Sequence, residues 1–225
     1  MKQETKQQIG KTVENFRLPR YNEIPNVGLY LEQATKYVCE YLAPLGDYTL
    51  TPSMISNYVK KGLIANPIKK QYGREHIAYL FFIAIAKSVL SLDALTGFIK
   101  VQQNSYPLPK AYDYFAEQFE SLLRFTFEFQ DTVDLVGEDN TDEKRLLFTC
   151  MVAAVQKVYL EKCREAIARA YKALNPGGIF IFDVNTPEKL RAMDGQVFLD
   201  EDDDVYCVWR GEFDEETNIC SYGMD

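Results

Sequence analysis

Thr51-Pro-Ser-Met-Ile-Ser-Asn-Tyr-Val-Lys-Lys-Gly-Leu-Ile-Ala-Asn-Pro-Ile-Lys-Lys-Gln-Tyr-Gly-Arg74 carries its own punctuation. Thr51 can accept a hydrogen bond from the first free amides of a helix. Pro52 fits the first helical position because it has no amide to lose, and Gly62 suits a left-handed stop. The stretch therefore predicts one short helix over residues 52–61. At 3.6 residues per turn Ile55, Tyr58 and Val59 share one face, and Ser53, Ser56, Asn57 and Lys60 share another. The apolar face asks for a core, and the polar face suits phosphates and base edges. Residues 67–74 then alternate in character and hold two lysines and a glycine, the composition of a small β-hairpin lying along a phosphate backbone. A winged helix-turn-helix is the fold these letters predict.

An ordinary helix and turn with solvated lysines would be written in similar residues, and charge placement weighs against it. Between Leu50 and Leu90 six basic residues (Lys60, Lys61, Lys69, Lys70, Arg74, Lys87) stand against one acid, Glu75, in a chain whose net charge is -8. Residues 1–130 carry 15 basic and 12 acidic side chains, whereas residues 131–225 carry 10 and 21. Binding responds to local potential, since salt confines each patch to about 8 Å at physiological strength. The basic patch coincides with the expected reading helix, as a nucleic-acid surface requires. Ser53, Ser56 and Asn57 are the expected base readers, and Lys60, Lys61, Lys69, Lys70 and Arg74 the expected phosphate contacts on double-stranded DNA.

The bulk properties set the frame. With 225 residues, 47% of them hydrophobic and 13% aromatic, the chain can build a substantial core. No run approaches the ~18 apolar residues of a membrane span, and the N-terminus is polar with no apolar signal region behind it, so a soluble cytoplasmic protein without membrane contact is expected. The five cysteines (Cys39, Cys150, Cys163, Cys207, Cys220) form no CxxC pair and the single histidine is His76. Neither a zinc site nor a disulfide framework is expected. No catalytic residue and no cofactor is assigned.

Along the chain, residues 1–16 read as a polar, frayed segment. Pro25-Asn26 opens a helix in which Val27, Tyr30, Leu31, Ala34, Val38, Tyr41 and Leu42 recur at three and four, supporting the reading helix. The run from His76 to Leu90 is apolar on almost every face and predicts a helix buried by its neighbours. His76 at its start suits a cap more than a phosphate contact. Ser91 caps a short helix to about residue 100. From Lys110 to Gln130 the aromatics Tyr112, Tyr114, Phe115, Phe119, Phe125, Phe127 and Phe129 crowd one helix. So wide a stripe is expected to leave an apolar patch outside, which predicts a homodimer matched to a two-fold DNA site. A protein-interaction module using that helix is an alternative. Thr141 caps a further helix that runs about 33 residues to Asn175-Pro-Gly-Gly, beyond the ~25 that an ordinary globular helix reaches without caps. The acidic run Asp200-Glu-Asp-Asp-Asp204 reads as a solvated loop.

Ile55-Ser-Asn-Tyr58, Gly62-Leu-Ile, Pro67, Tyr72-Gly-Arg74 and Ser91-Leu92 resemble the DNA-binding head of MerR-type regulators. Leu18-Pro-Arg-Tyr-Asn-Glu-Ile-Pro25 through about Leu160 more closely resembles the bacterial family called domain of unknown function 1836. The MerR resemblance implies that residues 53–60 enter the major groove and that Arg74 contacts phosphate. Its departures are a longer preceding helix and no long dimerising coiled coil, so no effector chemistry is carried over.

Ala168-Arg-Ala-Tyr-Lys-Ala-Leu-Asn-Pro-Gly-Gly-Ile-Phe-Ile-Phe-Asp-Val-Asn-Thr-Pro187, with the strands around Trp209, resembles the late part of class I S-adenosylmethionine-dependent methyltransferases. Those enzymes build the cofactor site earlier, on a glycine-rich loop, and no Gly-x-Gly occurs in this chain. S-adenosylmethionine is expected only on the alternative reading of the chain as a methyltransferase relative, incomplete alone. The expected organisation is a polar segment at 1–16, a mainly α winged helix-turn-helix domain at 17–163, and a methyltransferase-like α+β segment at 164–225, with strands near 178–184, 205–213 and 219–224. The last two form a β-hairpin.

Overall fold

In a computed structural model, residues 3–134, 141–175, 191, 194–202, 205–214 and 219–224 are described. The chain is mainly helical and divides into two compact units, Met1–Lys172 and Ala173–Asp225. The first contains α1 (Gln3–Gly10), α2 (Leu31–Leu42), α3 (Pro52–Lys60), α4 (Arg74–Ala86), α5 (Leu92–Ser105), α6 (Leu108–Thr126) and most of α7 (Asp142–Ala173). Among the described residues no helix is long and apolar enough to cross a membrane.

The first unit is built around α4. Ile77, Ala78, Leu80, Phe81 and Ile83 through Ala86 are all buried, so the helix is enclosed on nearly every side, as its unbroken apolar run requires. α2 packs against α3 and α4, while α6 packs against α4 and α5. Aromatic rings join these layers: Phe81 meets Tyr41 edge-on at 5.8 Å, and Phe82 meets Phe115 at 5.4 Å. The aromatic stripe of α6 is therefore largely spent inside. Tyr112, Phe115, Phe119 and Phe127 are buried in the same core, and Phe125 is the stripe residue left exposed. Tyr114 and Phe129 are half-buried, so only part of the expected patch remains outside.

Residues 6–16 are tied to the rest of the unit. Ile9, Val13 and Phe16 join the core, and Gly10 approaches Phe127 so closely that an added Cβ would lie 2.4 Å from its ring. Gln7 donates to the Glu128 carbonyl and Lys6 pairs with the Glu128 carboxylate. Residues 17–24 are then clamped to α6. Arg20 makes a bidentate pair with the buried Glu120 at 2.7 and 2.8 Å, and the Leu18 amide donates to the same carboxylate at 2.8 Å. The Tyr21 amide donates to Asp113 at 2.6 Å. The hydrogen bond to Glu120 raises the Arg20 pKa further against the lowering effect of burial.

α7 runs unbroken through residues 160–164, where a domain boundary was expected. Cys150, Met151, Ala154, Val155, Val158 and Lys162 bury its first two-thirds. Leu160, Ile167 and Tyr171 stand exposed at 66%, 45% and 75%.

The second unit holds β1 (Val197–Asp202), β2 (Val205–Asp214) and β3 (Ile219–Met224) in one antiparallel sheet of order β1-β2-β3. Phe198 pairs with Trp209, and Trp209 with Met224. Asp200 to Asp202 end strand β1 and pair with Cys207 to Val205, so the first part of the acidic run is strand rather than loop. The pairing explains it: a period-2 partner strand recruits these residues despite their low β-propensity. The strand expected near 178–184 and the Pro-Gly-Gly turn lie outside the described residues.

Candidate nucleic-acid interface

α3 is fixed at both ends by the residues that punctuate its sequence. The Thr51 hydroxyl accepts from the Met54 amide at 3.2 Å, and Pro52 occupies the first turn. At the other end Gly62 takes φ +72°, with Leu63 N donating to Tyr58 O at 2.9 Å and Gly62 N to Val59 O at 3.0 Å. This is the paired-bond C-terminal motif, closed by the buried Tyr58 and Leu63. Ile55 and Tyr58 anchor the inner face. Ser53, Ser56, Asn57, Lys60 and Lys61 are all exposed on the outside. The Ser56 hydroxyl donates back to the Pro52 carbonyl at 2.9 Å, which leaves its oxygen lone pairs outward.

The chain then turns sharply. Ile68 and Gln71 exchange both backbone hydrogen bonds, at 3.1 and 2.9 Å, across a two-residue tip made of Lys69 and Lys70. Both lysines have positive φ, 49° and 65°, the conformation of a tight hairpin turn usually filled by Asn-Gly. The hairpin is shorter than residues 67–74 had suggested, a single bridged pair. It is held from behind: Tyr72 and Leu29 exchange backbone bonds at 2.8 and 2.9 Å, and Gly28 lets Gln71 approach within 2.6 Å of where a Cβ would sit.

The six basic residues of this region divide by use. Arg74 donates to the Ile24 carbonyl at 2.8 Å and the Asn22 carbonyl at 3.2 Å, and its guanidinium lies 5.7 Å from the Tyr21 ring centre. Lys87 donates to the Thr49 carbonyl at 2.6 Å, and burial lowers its pKa. Both are structural ties. Lys60, Lys61, Lys69 and Lys70 are exposed and make no hydrogen bond or ion pair among the described residues. The structure thus gathers seven of the eight expected contact residues on α3 and its hairpin and gives Arg74 to the loop that supports them. His76 caps α4, its Nδ1 accepting from the Gly73 amide at 3.1 Å. Its Nε2 is buried without a partner, so it offers nothing to a phosphate.

Fold and surface together define a mainly helical protein with a short, capped helix and a lysine-tipped turn projecting from a closed core. Residues 19–115 match the family model described as Domain of unknown function (DUF1836). The match takes in α2, α3, the hairpin, α4, α5 and the start of α6, and ends well before residue 160. No curated protein and no solved structure matches the chain.

Proposed function

We propose that the chain is a DNA-binding transcriptional regulator with a MerR-like winged helix-turn-helix head, acting as a homodimer on double-stranded DNA. Ser53, Ser56 and Asn57 on α3 read base edges, and Lys60, Lys61, Lys69 and Lys70 hold phosphates. Arg74 positions the surface from behind instead of touching the duplex. One observation carries the reading. Two lysines occupy the left-handed tip of a tight turn, where backbone strain favours Asn or Gly and where neither has a partner among the described residues. A strained conformation kept with an unpaired charge points to a ligand for that charge. A phosphate backbone fits because the lysines of α3 and of the turn are close in sequence, unpaired, and set beside small polar side chains suited to base edges.

The dimer is supported by the last turns of α7. Leu160, Ile167 and Tyr171 recur at seven and four residues, fall on one helical face and are exposed. Ile167→Asp is expected to give a monomer in light scattering where the natural chain gives a dimer. The base-reading assignment is tested by selecting sites from a random duplex library and comparing variants. Asn57→Ala should relax preference at its base pair, whereas Lys69→Ala should weaken every sequence alike. Equal losses on all sequences for both would sink it.

A further inference from the structure

The helical layers of the first unit leave an apolar recess between them. Between α4, α5, α6 and the start of α7 lies a cavity of about 380 Å³. It is a recess open to solvent at the rim formed by Val101, Lys110 and Leu146. It falls within the range of small-molecule sites. The walls are aromatic and aliphatic: Phe82 from α4, Phe98 from α5, Tyr114 and Phe115 from α6, Leu146 and Leu147 from α7. Phe82, Phe98, Tyr114 and Leu147 are only half-buried where they line the cavity.

Most polar groups of the wall are already occupied, the exception among the buried ones being the Tyr112 hydroxyl, which has no partner among the described residues. The Tyr79 hydroxyl donates to Gln102 Oε1 at 2.9 Å, and Gln102 Nε2 donates to the Tyr106 carbonyl at 2.8 Å. Asp113 is taken by the Tyr21 amide, Glu117 stands 3.7 Å from Arg20, and Lys144 lies 5.3 Å over the Tyr114 ring. What remains, Lys110 and Glu143, is of opposite sign. An ionised ligand would lose its hydration against a mainly apolar wall whose two remaining charges cancel. A neutral one with a ring system would gain apolar contact and edge-to-face packing at no such cost.

We propose that this cavity binds a neutral, largely apolar small molecule containing an aromatic ring. The site is separate from the α3 surface and stands whether or not that surface binds DNA.

Nile red, a neutral aromatic dye, titrated into the full chain is the test. Saturable binding at a single site is expected, with emission shifted to the blue and energy transfer from an indole placed in the wall by Phe98→Trp. Ala111→Trp, which fills the cavity from α6, should weaken binding by about tenfold or more. Should that variant fail to fold, Leu146→Trp closes the rim from an exposed position and should do the same. Replacing exposed apolar residues elsewhere, Ile167→Ser with Tyr171→Ser, should leave dye binding unchanged. Absence of saturable binding would overturn the proposal, as would binding that survives both cavity variants with the thermal midpoint intact or that falls with the α7 pair.

Discussion

Charge is used in opposite ways in two regions of the helical unit. Where residues 17–24 lie on α6, each ion is answered: Arg20 by Glu120 and Glu117, Arg17 by Glu23, and Glu120 also by the Leu18 amide. At α3 and its turn, four lysines are answered by nothing among the described residues. Paired charges build the fold, because a buried ion costs several kcal/mol unless its partner and hydrogen bonds are in place. Unpaired, solvated ones contribute almost nothing to it. The difference teaches where to look for function: in the cations the fold does not need.

The contrast can be broken at its stronger end first. Glu120→Ala strands Arg20 and the Leu18 amide, and should lower stability by about 3–5 kcal/mol in urea unfolding. Replacing Lys60, Lys61, Lys69 and Lys70 together with Ala should leave stability within about 0.5 kcal/mol while abolishing duplex binding. A large stability loss in that variant would mean that these lysines have partners after all.

Gly10→Ala drives a methyl into Phe127 and should cost about 1–3 kcal/mol. A truly frayed N-terminus would not register it.

Alkaline pH probes the buried core that backs both surfaces. Burial pushes Cys150 from 9.0 up to about 11 and raises the phenols of Tyr112 and Tyr58 above their ordinary 10.0. The unfolded chain gives up these protons first. Stability from this source is therefore complete below pH 9.0 for the thiol and below 10.0 for the phenols, and is lost as pH rises through the folded values. Urea midpoints across that range should fall steadily. A flat profile would contradict the burial of these groups.

At the other surface, Lys69→Asn with Lys70→Gly relieves the left-handed tip and should raise stability by about 1 kcal/mol while weakening DNA binding. The smallest change, Lys69→Ala, should reduce the salt slope of binding by about one.

Much of the fold was readable because its causes are local. Thr51, Pro52 and Gly62 act on their own helix within a turn, and the apolar run of α4 can be satisfied only by enclosure. The rest depended on partners distant in the chain. Arg74 carries the letter of a phosphate contact, but its acceptors are the carbonyls of Ile24 and Asn22, about fifty residues earlier. Residues 1–16 look polar because Ile9, Val13 and Phe16 are spaced among charges, and only Phe127 and the loop at Glu128 reveal why they are there. The aromatic stripe of α6 predicted an exposed patch, since sequence shows the width of a face and not what covers it. The positive φ of Lys69 and Lys70 had no signal at all, lysine being an unusual occupant of such a turn. The one signal available for the cavity was the surplus of aromatic residues across α4, α5 and α6.

The central claim is that the unpaired lysines meet a phosphate backbone, and anisotropy of a labelled duplex titrated with the purified chain at several salt concentrations tests it most directly. Affinity is expected whose logarithm falls linearly with log salt, with a slope of about -3 to -4 per protomer for four contacts, lost in the four-lysine variant. Absence of binding at low salt, or binding indifferent to salt and to those lysines, would contradict it.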